Sequence, residues 1–148
     1  MIGDPHTDRG ERGASPTLQL DLERSVEAPG IARAAVIDYS RDLALSRSTL
    51  QTLILLVSEV VSNAVLHSSA ARDAPITLNA SVTSDAVRIT VTDLGDGFMP
   101  RQRDPASIND GYGLYLVDQS ASCWGVEAGA PTSVWFELTR DELNSRPR

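Results

Sequence analysis

Glu59, Asn63 and His67 stand four residues apart within Ser58-Glu59-Val60-Val61-Ser62-Asn63-Ala64-Val65-Leu66-His67. At about 3.6 residues per turn, a carboxylate, an amide and an imidazole so spaced fall along one stripe of a helix. Around them lie Leu50, Leu53, Ile54, Leu55, Leu56, Val57, Val60, Val61, Val65 and Leu66. A charge among so many apolar side chains is costly unless something pairs with it. A hydrated divalent cation carrying phosphate is one partner that fits. Taken alone, two polar residues on a solvated helix face, with Ser58 and Ser62 beside them, are the simpler account.

Two glycine motifs follow. In Asp93-Leu94-Gly95-Asp96-Gly97 the carboxylate ends an apolar strand and can accept a hydrogen bond from an exocyclic amine, such as that of adenine. Gly95 and Gly97 let the backbone approach a flat ligand without Cβ interference. A hairpin turn would use the same residues. A calcium loop does not fit, because glycines hold its third and fifth positions and Asp104 stands where the twelfth needs Glu. Gly111-Tyr112-Gly113-Leu114-Tyr115-Leu116-Val117 places two glycines at the start of a helix with core-like Leu114, Leu116 and Val117. Free N–H groups and the helix dipole make such an end favourable for anions. It is neither a Rossmann fingerprint, since a third glycine is missing, nor a Walker loop, since no Gly-Lys-Ser or Gly-Lys-Thr occurs. Each motif is weak singly. In one order, spaced by about 30 and then about 18 residues, they describe one nucleotide pocket.

The elements that must position these groups are legible. Thr17 to Leu22 alternates as a strand, and Pro29-Gly30 ends it. A first helix is predicted over 30–45. A second, capped by Ser46 or Ser48, runs to Ser68. Ile76–Val82 and Val87–Thr92 alternate around the turn Thr83-Ser84-Asp85, which predicts a hairpin. A long loop over 94–110 follows, of the kind that covers sites. Then come a helix over 112–122 and strands near 124–128 and 132–138. The pattern is α+β: a two-layer sandwich with helices on one face of a mixed, mostly antiparallel sheet. Residues 1–16 and 139–148 read as tails around one domain over 17–138.

The 148 residues carry a net charge of −7. A binder of nucleic acid backbone shows a basic surface, so direct nucleic acid contact is not expected. Every basic side chain apart from the histidines is Arg, which removes lysine chemistry on phosphate or carbonyl groups. The longest unbroken apolar run, Leu53 to Val57, is far short of a membrane span. Cys123 is the single cysteine, which excludes an internal disulfide. With no secretory pattern at the N-terminus, a cytoplasmic protein is expected.

Glu59-x-x-x-Asn63-Ala64, Asp93-x-Gly95-x-Gly97 and Gly111-x-Gly113-Leu114 resemble the N box and glycine boxes of the Bergerat-fold (GHKL) ATPases. Leu56 to His67, Cys123-Trp124-Gly125 and Ser133-Val134-Trp135-Phe136-Glu137-Leu138 resemble the stand-alone anti-sigma-factor serine/threonine kinases of that superfamily. The resemblance covers roughly residues 17–138.

It implies ATP and Mg2+ as cofactors. Asn63 would bind the metal, and Glu59 would be the general base. Asp93 would recognise adenine, with Gly95 and Gly97 beside it and Ser133 supplying a supporting hydroxyl. Gly111 and Gly113, with Leu114, would let the backbone wrap the phosphates. His67 is family-like, with helix packing as its expected role. Arg101 and Arg103 lie in the loop over 94–110, where a terminal phosphate or solvent would engage them. Two positions depart from the family. Tyr112 stands where relatives often carry Arg, and Pro131-Thr132-Ser133 where they often carry Gly-Lys-Thr, so a positive charge is lost.

The implied activity is a protein kinase that holds a sigma factor and phosphorylates an anti-anti-sigma antagonist, with Arg33 and Arg41 of the first helix as a partner surface. The other partner suggested is a second copy, as a homodimer; no membrane is involved. A nucleotide-dependent binding module without kinase activity is the alternative. A histidine-kinase catalytic domain would need a phosphoacceptor hairpin upstream, where only about 16 residues precede the first strand.

Overall fold

The computed structural model describes residues 16–67, 73–83, 85–94, 112–129 and 131–139. Most of the loop over 94–110 and of both expected tails lies outside these residues. Five strands form one sheet in the order β1-β2-β3-β5-β4: β1 (Leu18–Leu22), β2 (Ile76–Val82), β3 (Ala86–Asp93), β4 (Cys123–Glu127) and β5 (Thr132–Thr139). Helices α1 (Ala28–Ser40), α2 (Arg47–His67) and α3 (Tyr112–Ser120) form the second layer.

Alternation decides the two faces of the sheet. Leu18, Leu20 and Leu22 of β1 pair with Ala80, Leu78 and Ile76 of β2. Val87, Ile89 and Val91 of β3 pair with Leu138, Phe136 and Val134 of β5. These rows belong to, or pack against, the core under the helices. The opposite face carries Thr77, Asn79, Arg88, Thr92, Ser133 and Glu137, the polar face of a sheet covered on one side only.

The α+β two-layer class is as expected, with one correction. Each described strand pair is antiparallel, so the mixed component is absent among the described residues. β3 and β4 do run in the same direction, since β5 is antiparallel to both. But β5 lies between them, so they never hydrogen-bond, and α3 makes the crossover.

α1 begins earlier than predicted, because Pro29 suits the first turn, where its missing N–H loses nothing. It also ends earlier. A 3-10 turn, Arg41–Leu43, follows and Ala44 closes it in the left-handed region at φ 52°. Ser46 rather than Ser48 caps α2: the Thr49 N–H donates to Ser46 Oγ at 3.2 Å. On α2, Leu53, Leu56, Val57, Val60, Val61 and Ala64 are buried, at the spacing of an amphipathic stripe. By length and composition α2 could cross a membrane, with a mean hydropathy of 1.6 over its window. Its apolar stripe instead packs on α1, α3 and the sheet, as the central helix of the core.

Candidate functional site

One row crosses the sheet where β3 ends. Leu22, Ile76, Asp93 and Thr132 are successive register partners, and none is more than 3% exposed. The row begins apolar and finishes as a carboxylate beside a hydroxyl. Directly opposed residues bring their Cβ atoms to about 5 Å, so the two side chains share one spot on the helix-covered face. The Thr132 hydroxyl donates to the carbonyl of Gly129, leaving its oxygen free to accept.

α2 reaches the same end. Just past β1, Arg24 donates from Nε to the carbonyl of Val65 at 3.1 Å. This ties the last turns of α2 to the edge of the row. Asn63 precedes Val65 and therefore stands at Asp93's end of the sandwich, although about 30 residues separate the two in sequence. Asn63 is 8% exposed, and its amide nitrogen has no hydrogen-bond partner among the described residues. Leaving such a group unsatisfied costs about 1–3 kcal/mol. Glu59, one turn earlier on the same stripe, is half-buried. Ser58 beside it is occupied in holding helices together. Its hydroxyl donates to Ile54 O at 2.8 Å and accepts from Arg33 Nη1 at 3.2 Å.

The donor set suits a magnesium nucleotide. A buried amide lacking a partner offers oxygen to a hard cation once the amide is oriented for it. Glu59 supplies a carboxylate within the same two turns. Among the described residues no three of His, Cys, Asp or Glu gather as a metal cage. A cation at Asn63 would draw its other ligands from water and phosphate, as Mg2+ does.

Other expected site residues are placed differently. Ser133 is on the far face of the sheet, where its hydroxyl and that of Thr92 are 2.8 Å apart. The hydroxyl that shares a face with Asp93 is that of Thr132. The parity of Val134, Phe136 and Leu138 was the signal for it, and Trp135 obscured that signal by placing a large apolar group on the polar face. His67 is exposed at the last turn of α2, outside the buried stripe that packs the helix, so helix packing is not its role. Gly113 lies in the first turn of α3. Leu114 is 5% exposed and belongs to the core, seating α3 rather than facing a ligand. Gly95, Gly97, Arg101, Arg103 and Gly111 fall outside the described residues.

The family model of the histidine kinase-like ATPase domain matches residues 22–130. The chain belongs to that family. The match contains Glu59, Asn63, Asp93 and all four motif glycines; Thr132 lies just beyond it. Among solved structures, the RsbU and RsbW domains of Rv1364c from Mycobacterium tuberculosis align at TM-score 0.66 and 21% identity, over 84% of this chain and 32% of that one. The histidine kinase domain of the blue-light activated histidine kinase from Erythrobacter litoralis EL346 aligns at TM-score 0.52 and 29% identity, over 66% of this chain and 50% of that one. A second structure of that kinase gives 0.54 and 29%, over 67% and 33%. This histidine kinase-like ATPase domain thus spans half or less of the solved chains it resembles. No curated protein matches it in sequence.

Proposed function

We propose that this domain binds Mg2+·ATP between α2 and the Asp93–Thr132 row and transfers the terminal phosphoryl group to a serine or threonine of a protein. The observation that carries this reading is the buried Asn63, whose amide nitrogen has no partner among the described residues, one turn from a half-buried Glu59, at the end of the sandwich that holds Asp93 and Thr132. Asp93 accepts from the adenine amino group, and Thr132 supports it. Asn63 holds the metal. Mg2+, when bound, neutralises charge on the phosphates. By the resemblance of their motifs, Gly95 and Gly97 are assigned to the base and Gly111 and Gly113 to the phosphates. Glu59 takes the proton of the attacking hydroxyl as its oxygen bonds to phosphorus and the bond to ADP breaks.

The resemblance of Leu56 to His67 to the anti-sigma-factor kinases supports a cytoplasmic switch that holds a sigma factor and phosphorylates an anti-anti-sigma antagonist, with a homodimer as its proposed assembly. The fold shared with a structure containing an RsbW domain agrees with it. A second reading, a nucleotide-dependent binding module, draws on Thr132, which stands where relatives often carry a lysine.

Label transfer from γ-labelled ATP to a candidate antagonist separates these. The kinase reading expects acid-stable label on the antagonist, lost in Glu59→Ala. Acid-labile label would indicate histidine transfer. ATP binding with no transfer by the wild type would favour the module.

A further inference from the structure

α3 is nine residues long, and Leu114, Leu116 and Val117 seat it on the core beside α2. Among its described side chains, only Leu114 and Val117 are buried. A helix this short has no stability of its own, so its contacts decide where it sits. One of those contacts is polar and specific: Trp124 on β4 donates from Nε1 to Asp118 Oδ1 at 2.9 Å. An indole N–H is a donor only, fixed by a rigid ring, and a carboxylate acceptor makes the bond charge-assisted.

The position of this bond matters more than its strength. Asp118 lies one turn beyond Leu114, so the tie acts along the stripe that seats α3. Trp124 is the register partner of Phe136 on β5. β5 begins at Thr132, the register partner of Asp93. A continuous path therefore runs from the Asp93–Thr132 pair, along β5, across to Trp124, and through Asp118 into α3. The first turn of α3 holds Gly113.

We propose that Asp118 and Trp124 are positioning residues, which fix the first turn of α3 relative to the Asp93–Thr132 pair and so set the spacing between base recognition and phosphate contact. The inference rests on the nucleotide reading given above. Neither side chain touches the nucleotide. A general loosening of the fold would weaken base and phosphate binding together. A displaced α3 weakens only the phosphate end, so adenosine and ATP respond differently.

The test uses the full chain with Asp118→Ala, Asp118→Asn, Trp124→Phe and the double variant Asp118→Ala/Trp124→Phe. Affinities for Mg2+·ATP are read by calorimetry and those for adenosine by NMR titration. The bond is solvent-exposed, so Asp118→Ala and Trp124→Phe are each expected to weaken ATP binding about threefold to fivefold, with adenosine binding changed less than about twofold. Asp118→Asn, whose amide oxygen still accepts from the indole, should restore most of the ATP affinity. The double variant should be no weaker than either single one, because both remove the same bond. Unchanged ATP affinity in Asp118→Ala and Trp124→Phe, or equal losses for ATP and adenosine, would overturn this inference while leaving the nucleotide reading intact. A wild-type protein that binds no ATP would overturn both.

Discussion

Asn63 shows how one side chain can be costly to the fold and useful to a ligand. Its amide nitrogen is buried without a partner, so Asn63→Ala should leave the ligand-free protein within about 1 kcal/mol of wild-type stability. The same variant should lose the rise in melting temperature that Mg2+·ATP confers. Thermal melts with and without nucleotide check both halves; a nucleotide-induced rise retained in the variant would remove Asn63 from the site. Thr132 and Ser133 provide a paired test of the adenine contact. Thr132→Val should erode preference for ATP over GTP, whereas Ser133→Ala, on the far face, should not. Glu137 belongs to that far face too. Hydrogen bonds from the Cys123 thiol and then the Arg88 guanidinium hold its carboxyl below the ordinary carboxylate value. A depressed pKa stabilises the fold above the unfolded-state value and ceases to do so as pH falls through the folded-state value. Glu137→Gln should therefore be less stable than wild type at neutral pH, with the deficit shrinking on acidification, as urea midpoints across pH would show.

At the scale of elements, the sheet depends on one glycine. A Cβ on Gly125 would lie 2.8 Å from the Trp135 ring, which also carries the Arg88 guanidinium 4.0 Å from its centroid. The indole is thus packed between the backbone of β4 and a cation that is itself paired with Glu137 at 2.9 Å. Gly125→Ala must push the ring off its seat and should destabilise the protein by about 1–3 kcal/mol in urea unfolding, the range for overpacking. An unchanged midpoint would show that the edge strand yields freely. α2 is the other decisive element. Its buried stripe fills the core, yet it also carries Glu59 and Asn63, so one helix holds both the core and the proposed metal and base positions.

For the whole molecule, the proposed site draws on both layers, Asn63 from the helices and Asp93 with Thr132 from the sheet. A ligand that binds only the native state stabilises it by mass action, about 2.7 kcal/mol at a hundredfold excess over Kd. Glu59→Ala should keep this ATP-dependent stabilisation while losing phosphoryl transfer if Glu59 acts, as proposed, on the attacking hydroxyl and not on the bound triphosphate. If stabilisation and transfer disappear together, Glu59 holds nucleotide and is not the base.

Periodicity in the sequence determined the elements and their order, because a helix or strand must show its apolar side chains at a fixed repeat to be buried at all. The capping serine, the hairpin around Thr83–Asp85 and the α+β class all follow from local chemistry of that kind. The partnership of Asp93 with Thr132 came only from tertiary structure. It depends on β5 inserting between β3 and β4, and long-range pairing of that sort leaves no local periodic trace. The same is true of Asn63: its type is written in the chain, but burial without a partner results from how α2 lies on the sheet. Local patterns say which face each side chain takes; only packing says what that face meets.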